Sequence, residues 1–285
     1  MIKIYIPYNN DKQCVYREQA FSNVYKYYSS IKDFEVKVLS STPFSRAAAR
    51  NAVFEDRLED NETVFFSDAD IITPESQVRE AVNKASETRE MVLAYSELSK
   101  LDAQESREYL LTGELKKSKK QIKNQCSGSF AIPVDLLMGI GGYDERFFNW
   151  GCEDRVFFFT AAYFADREFC QRIPGIAYHF FHPRSENAGR RFLVSNPLFR
   201  EYLQAFGISV HTFRKYKKAK VESIERLMEE SKKYQGNYKK EIIPFKVREV
   251  VKFTKGKKVV LVLKNTELYK RLKKAKGYKY EGVAI

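Results

Sequence analysis

The sequence predicts an α/β protein in which helices flank a mixed, mostly parallel β-sheet. The chain begins with an apolar strand pattern from Ile2 to Ile6, a helical pattern over residues 15–28 and an alternating strand pattern over residues 34–39. A β-α-β opening of this kind predicts parallel strands whose carboxyl ends gather the ligands. Neither a GxGxxG nor a GxxxxGK[ST] pattern occurs, so neither a dinucleotide site nor a P-loop is indicated.

Charge divides the chain into two parts. The 285 residues carry a net charge of +13, and residues 211–285 hold 23 Lys and Arg against 8 Glu and no Asp. We therefore predict a domain of residues 1–210 and a small basic α+β appendage of residues 211–285. Helices over 221–234 and 268–276 and strands over 242–253 and 258–263 are expected in the appendage.

The composition favours a soluble, cytoplasmic protein with a packed core. Hydrophobic residues make up 44% of the chain, which includes 22 Phe and 18 Tyr. The first residues do not resemble a signal peptide, and no apolar run approaches the roughly 20 residues of a membrane span. The four cysteines lack CxxC or CxH spacing, which argues against a zinc site or a disulfide framework.

The segment Pro43–Leu58 predicts a helix whose amino end carries Phe44, Ser45 and Arg46. An aromatic ring and a guanidinium at this position suit a nucleotide base and a phosphate. An amphipathic surface helix with Ser45 as its N-cap is an equally good interpretation of the segment alone.

A second candidate site follows the apolar strand Val64–Phe66, where the chain reads Asp68-Ala69-Asp70. In an extended chain the two carboxylates lie on the same side, and their repulsion favours a bound cation. A divalent ion with a diphosphate would satisfy them, whereas an Asx-type turn before Thr73 is the structural alternative. Farther on, residues 101–121 predict a charged, exposed helix.

The stretch Gly141–Arg155, GGYDERFFNWGCEDR, combines glycines, aromatic residues and an acidic pair. The glycines, Gly142 among them, allow the backbone to approach a bound ring, and Trp150 can stack on a sugar. A carboxylate of Glu153 or Asp154 could accept a proton from a reacting hydroxyl. The alternative is an ordinary turn followed by the acidic first turn of a buried helix.

Two of the three histidines, His179 and His182, lie at the end of a predicted strand. Imidazoles bind Mn²⁺, Zn²⁺ and similar ions, so these residues could complete a site begun by Asp-Ala-Asp. By itself the pair is also compatible with a structural role. A loop containing Gly189 and several arginines follows, and the third histidine, His211, is expected at the surface.

Taken in order, these motifs resemble the nucleotide-sugar glycosyltransferases of the GT-A fold. The quoted residues are Phe44-Ser45-Arg46, Asp68-Ala69-Asp70, Gly141-Gly142-Tyr143-Asp144, Asn149-Trp150-Gly151-Cys152-Glu153-Asp154 and His179-Phe180-Phe181-His182. They are similar to the β-1,4-galactosyltransferase-like group and to chondroitin-polymerase and polypeptide-GalNAc-transferase domains. The resemblance spans about residues 1–195, implies a GT-A (Rossmann-like) fold and leaves the basic appendage uncovered.

The resemblance implies a role for each matching residue. Pro7, Phe44 and Arg46 would surround the uracil and diphosphate of a UDP-sugar, and Asp68, Gly142, Trp150, Arg184 and Arg190 would also contact the donor. Asp70, His182 and His179 would bind Mn²⁺ or Mg²⁺. Asp154 would be the catalytic base of an inverting transfer, and Glu153 would hold substrate hydroxyls. Cys152 replaces a common glycine and Arg155 replaces a third acidic residue, which affects specificity.

The acceptor is left open by the sequence. The first hypothesis is the transfer of a hexose or N-acetylhexosamine to a glycan or glycoconjugate. The alternatives are glycosylation of hydroxymethylated DNA bases and a non-catalytic sugar-nucleotide binding module. The basic appendage could bind an anionic polymer, a nucleic acid or an anionic membrane surface.

Overall fold

The computed structural model describes residues 1–9, 14–123, 125–147, 152–183, 196–209, 211–215, 217–234, 236, 238–244, 250–255, 258–264, 267–275 and 278–283. The helices of this part are α1 (Val15–Ser29), α2 (Arg46–Asn51), α3 (Glu75–Thr88), α4 (Ala103–Thr112), α5 (Val134–Ile140), α6 (Glu153–Phe164), α7 (Pro197–Phe206), α8 (Val221–Tyr234) and α9 (Glu267–Lys274).

The strands are β1 (Ile2–Pro7), β2 (Phe34–Thr42), β3 (Thr63–Ser67), β4 (Ile71–Ile72), β5 (Val92–Leu93), β6 (Glu97–Lys100), β7 (Gln121–Lys123), β8 (Ser129–Pro133), β9 (Gln171–Arg172), β10 (Ile176–His179), β11 (Lys239–Ile243), β12 (Val250–Lys255), β13 (Lys258–Leu263) and β14 (Lys279–Val283). Within the described ranges, no helix is both long and apolar enough to cross a bilayer.

The central sheet has seven strands in the order β11-β2-β1-β3-β8-β5-β9. Strands β2, β1, β3, β5 and β9 run in one direction, whereas β8 and β11 run in the other. The predicted mixed, mostly parallel sheet flanked by helices is therefore confirmed, and it is consistent with the GT-A, Rossmann-like class. The carboxyl ends of β1 and β3 lie at one edge, where ligands gather in α/β proteins.

Alternating side chains of the central strands enter two hydrophobic cores, one on each face of the sheet. On β1, Tyr5 belongs to one core, while Ile4 and Ile6 belong to the other. The first core contains apolar residues of α6, α7 and α8, and the second contains those of α1 and α3. This two-residue period is what a sheet covered on both faces requires.

A second sheet has four strands in the order β4-β10-β6-β7 and lies next to Asp70. Its strand β10 pairs antiparallel with β4, so His179 lies opposite Ile71. The Phe180 amide also donates a hydrogen bond of 2.8 Å to the Asp70 carbonyl. These backbone contacts bring the histidine segment beside Asp70, although about 110 residues separate them in the chain.

The segment from residue 221 to residue 243 packs on the main body of the protein. Ile224 and Leu227 of α8 are buried in the first core, and β11 pairs with β2 at the edge of the central sheet. In contrast, β12, β13, β14 and α9 have a small core of their own around Val251, Phe253 and Val262. The division at residue 210 stays a prediction.

The helix expected over residues 101–121 is much shorter in the structure. Asp102 and Glu105 form a capping box that begins α4, and Gly113, with φ of +69°, ends it. The chain then continues to the three-residue strand β7. A capping box at one end and a left-handed glycine at the other are local signals that outweigh the charged helical pattern beyond them.

The loop from Gly141 to Arg146 is held by side chains from several elements. Asn51 Nδ2 donates hydrogen bonds of 2.8 Å to the Tyr143 carbonyl and to Glu145, and the Tyr143 amide donates one of 2.7 Å to Asn51 Oδ1. Arg146 joins Asp144 at 2.8 Å to Glu230 of α8 at 2.7 Å. These contacts tie the loop to both α2 and α8.

We expect Gly142→Ala to destabilise the fold. Gly142 has φ of +75°, and a Cβ there would lie 2.4 Å from Asn51 Oδ1, displacing the side chain that holds the loop. The free energy of unfolding should fall by about 2–4 kcal/mol in urea titrations. Gly139→Ala, in helix α5 with no atom within 4 Å of the added Cβ, is the control and should stabilise by up to about 1 kcal/mol. Equal effects of the two changes would contradict this role for Gly142.

Candidate active site

A cavity of about 1580 Å³ lies at the carboxyl ends of β1 and β3. Its wall includes Pro7 at the end of β1, Asp68 just after β3 and His179 at the end of β10. Ser127 and Gly128, before the antiparallel strand β8, line the same edge. Most of the residues predicted from the sequence to form a site therefore meet in one space, as the strand directions require.

Asp70, His179 and His182 form a cluster in this wall. Nε2 of His182 lies 3.0 Å from Asp70 Oδ2, and Nε2 of His179 lies 3.7 Å from Asp70 Oδ1. One ligand atom from each of the three residues lies within 4.8 Å of the others. The structure thus brings together the three residues predicted as metal ligands.

Burial alone would raise the pKa of the Asp70 carboxyl, but His179, His182 and Arg46 outweigh it and hold that pKa well below its usual range. Burial lowers the pKa of His179, against the opposing effect of Asp70. An ionised carboxylate beside a neutral imidazole is the protonation state in which both groups can bind a cation.

The two aspartates of Asp-Ala-Asp face different partners, whereas the extended-chain prediction placed them on the same side. Residues 69 and 70 form a turn, and the Ile71 amide donates a 3.1 Å hydrogen bond to the Asp68 carbonyl. Asp70 faces the histidines, whereas Asp68 Oδ1 accepts a hydrogen bond of 2.7 Å from Arg50 Nη2. Burial raises the pKa of the Asp68 carboxyl, as do the charges of Asp154 and Asp70, while Arg50 opposes the rise.

Arg50 of α2 is the cation at the centre of the site. Its side chain is only 4% exposed; Nη1 lies 3.0 Å from Asp154 Oδ1 and Nη2 pairs with Asp68. The guanidinium carbon also lies 5.0 Å from the centroid of the Tyr143 ring. Removing Arg50 would leave the carboxylates of Asp68 and Asp154 without a compensating charge. Arg50 therefore holds these two side chains in fixed relative positions.

The acidic pair Glu153 and Asp154 divides between two environments. Asp154 has an 18% exposed side chain and lines the cavity. Glu153 is buried behind it, 3.9 Å from Arg46 and 3.7 Å from Arg50, and both of its oxygens lack a hydrogen-bond partner. Burial and the charge of Asp154 raise the pKa of Glu153 to about 7, against the opposing charges of Arg46 and Arg50. Of the two, only Asp154 is placed to meet a substrate.

Helix α6 begins at a strained residue. Cys152 precedes the helix with φ of +79° and ψ of −39°, and its side chain is buried. A side chain in this region of φ and ψ costs about 1–3 kcal/mol, which a glycine avoids.

The other predicted donor-binding residues have mixed positions. Pro7, Phe44 and Arg46 line the cavity, together with Tyr8 and Asn9. Gly142 does not belong to the described cavity wall, because it faces Asn51 and Phe54. Trp150, Arg184 and Arg190 lie outside the described residues.

Sequence reasoning missed Arg50 and Asn51. A signal was available, because Arg46 had been singled out and Arg50 lies four residues later, on the same face of a helix. For Asn51 no such signal exists, because the sequence does not distinguish an asparagine that holds a loop from one at the surface.

No protein-family model and no curated protein matches the sequence. Among solved structures, the chain is similar to a Drosophila β1,4-galactosyltransferase 7 mutant in complex with manganese, UDP-Gal and xylobiose. The TM-score is 0.38 at 11% identity, and the match covers 92% of this chain and 93% of the other.

The chain is also similar to glucosyl-3-phosphoglycerate synthase from Mycobacterium tuberculosis in complex with Mn²⁺, UDP and glucosyl-3-phosphoglycerate. Here the TM-score is 0.35 at 12% identity, over 92% of this chain and 86% of the other. Similarities this weak do not identify an activity. Neither comparison supports binding of nucleic acid or of a membrane by the basic segment.

We expect Arg50→Met to be strongly destabilising. The change leaves Asp68 and Asp154 without their buried cation, so the free energy of unfolding should fall by about 3–5 kcal/mol. Urea titration at neutral pH measures this. Arg167→Met, which breaks an exposed ion pair with Glu90, is the control and should have a much smaller effect. Similar losses for the two variants would contradict the central position of Arg50.

We expect Glu153→Gln to become progressively more stable than the wild type as the pH rises. The pKa of Glu153 rises from an ordinary 4.5 to about 7 on folding, so the wild-type carboxyl opposes folding increasingly between these values and constantly above them. The difference in free energy of unfolding should grow by about 3 kcal/mol between pH 4.5 and 7. Glu80→Gln, on the exposed face of α3, is the control. A pH-independent difference for Glu153→Gln would contradict the proposed burial.

Proposed function

We propose that the protein is an inverting, divalent-metal-dependent glycosyltransferase that moves a hexose or N-acetylhexosamine from a UDP-sugar to an acceptor hydroxyl. The observation that carries the proposal is the pairing of two sites in one cavity. A carboxylate–imidazole cluster, Asp70, His179 and His182, lies in the same wall as a carboxylate, Asp154, that a buried arginine holds in place. The cluster could bind a metal ion that holds a diphosphate, and Asp154 could accept a proton.

Mn²⁺ fits the cluster better than Mg²⁺. Imidazole is a common ligand for transition ions, whereas Mg²⁺ favours oxygen ligands and water. Asp70, His179 and His182 offer one carboxylate and two imidazoles. When bound there, Mn²⁺ would supply positive charge to a nucleotide diphosphate and its leaving oxygen.

The donor would occupy the part of the cavity lined by Pro7, Phe44 and Arg46. A half-exposed aromatic ring at Phe44 provides a surface for the uracil, and the guanidinium of Arg46 can pair with phosphate oxygens. The Arg46 side chain is 34% exposed, so its guanidinium is accessible from the cavity. Asp68 extends this wall toward the sugar.

Asp154 would act as the general base. Its carboxylate would accept the proton of the acceptor hydroxyl while that oxygen forms a bond to the anomeric carbon and the bond to the diphosphate breaks. The electron pair of the broken bond leaves with UDP. A single displacement of this kind inverts the anomeric configuration. Arg50 holds Asp154 in position, because its Nη1 lies 3.0 Å from Asp154 Oδ1.

The acceptor would be a glycan or another glycoconjugate. The cavity extends well beyond a nucleotide site, because its wall also includes Arg155, Thr212 and Phe213. An aromatic ring next to a base and a cation is a suitable surface for a sugar ring.

We expect Asp154→Asn to abolish turnover while leaving donor binding intact. An amide cannot accept the proton, so kcat for UDP release should fall by about 10²–10⁴-fold. The assay is UDP release from a panel of UDP-sugars with Mn²⁺, Mg²⁺ or EDTA. Thermal stabilisation by UDP with Mn²⁺ should persist in Asp154→Asn and disappear in Asp70→Asn, which loses a metal ligand.

Asp60→Asn serves as the matched control, because this exposed aspartate lies outside the cavity wall and should leave both readouts unchanged. Full turnover by Asp154→Asn would remove it as the base. An absence of UDP release from every donor by the wild type would contradict the transferase assignment.

A further inference from the structure

Arg155 is the residue directly after Asp154 in the first turn of α6, and both line the cavity. Its guanidinium carbon lies 4.4 Å from the centroid of the Phe213 ring. Phe213 belongs to a turn closed by a bridge between Ile208 and Lys215, and its amide donates a 2.8 Å hydrogen bond to the Ser209 carbonyl. A separate, backbone-anchored segment thus supports the side chain of Arg155.

Among the residues that the structure describes, Arg155 forms no ion pair. Both Arg46 and Arg50 have a carboxylate within 4 Å, whereas Arg155 has none among the residues that the structure describes. Burial raises the pKa of the Cys126 and Cys152 thiols, and the positive charge of Arg155 partly offsets that rise. Both thiols line the cavity, so the positive charge faces the same space as Asp154.

A second arginine strengthens the positive charge on this side. Arg172 of β9 also acts on Cys126, and its Nη1 is buried without a hydrogen-bond partner. In the described part of the chain it too has no carboxylate within 4 Å, and burial lowers its pKa. Two cations without a carboxylate within 4 Å among the described residues therefore act on Cys126. Burying a cation without a charged partner is costly, which favours an anionic ligand nearby.

We propose that Arg155 binds an anionic group, a carboxylate or a phosphate, carried by the acceptor close to the hydroxyl that is glycosylated. This inference rests on the proposed function and names its acceptor class. A guanidinium stacked on a ring keeps its edge N–H groups available, and these match planar carboxylates and phosphates in a bidentate geometry. Because Arg155 adjoins the base Asp154, its ligand belongs near the attacking hydroxyl, whereas the donor diphosphate belongs near Arg46.

The test measures how wild type and variants bind three probes: methyl β-D-glucuronide, glucose 6-phosphate and the neutral methyl β-D-glucoside. Calorimetric titration with saturating UDP and Mn²⁺ gives each Kd. The wild type should bind at least one anionic probe about 10- to 100-fold more tightly than the glucoside, as expected of a charged hydrogen bond. The two anionic probes distinguish a carboxylate from a phosphate.

Arg155→Gln should remove this preference, and Arg155→Glu should reverse it. Arg200→Gln, at an exposed arginine of α7 outside the cavity wall, should retain it.

Equal binding of all three probes by the wild type, including no binding of any, would overturn the inference, as would a preference that survives in Arg155→Gln. A preference for UDP-glucuronate over UDP-glucose that Arg155→Gln removes would also overturn it, because the anion would then belong to the donor. Failure of the proposed function shows separately, as a lack of UDP release.

Discussion

The site depends on one buried cation. Arg50 holds Asp68 at 2.7 Å and Asp154 at 3.0 Å, and thereby joins the segment after β3 to the first turn of α6. Without it, two partly buried carboxylates would be left to repel each other. The same guanidinium lies over the Tyr143 ring, and Asn51 donates a hydrogen bond to the Tyr143 carbonyl. Two residues of α2 therefore hold both Asp154 and the loop from Gly141 to Arg146. A short helix of six residues therefore sets the position of Asp154, the proposed base.

The two sheets divide the remaining tasks. The central sheet brings the ends of β1 and β3 together, and the smaller sheet attaches the His179 segment to Asp70 through β4. Of the proposed metal ligands, His179 ends the paired strand β10, Asp70 lies in the turn before β4, and His182 follows three residues after His179. Two elements of the basic appendage also pack on the central domain. Helix α8 contacts the loop from Gly141 to Arg146 through the ion pair between Glu230 and Arg146, and β11 extends the central sheet. Residues 221–243 are therefore part of the scaffold of the site.

The fold class, most element positions and the grouping of Pro7, Phe44, Arg46, Asp68, Asp70, Asp154 and both histidines could be predicted, because periodicity and strand ends are local signals. The division between Glu153 and Asp154 could not, since it depends on which carboxylate the packing of α6 turns toward the core. Arg50 was missed for the same reason: its partners are distant in sequence. Gly142 was given a ligand role because a glycine permits close approach, but the group that approaches is Asn51. In each case tertiary packing decides the role of a residue whose type is ambiguous.

The central claim is that Asp70, His179 and His182 hold a divalent ion that in turn holds a nucleotide diphosphate. The most direct measurement is a calorimetric titration of the wild-type protein with UDP in the presence of Mn²⁺ and, separately, of EDTA, repeated on His182→Ala and on His211→Ala. The account predicts UDP binding that requires Mn²⁺, weakens at least about tenfold in His182→Ala and is unchanged in His211→Ala. UDP binding that is equally strong in EDTA, or an absence of UDP binding with Mn²⁺, would contradict it.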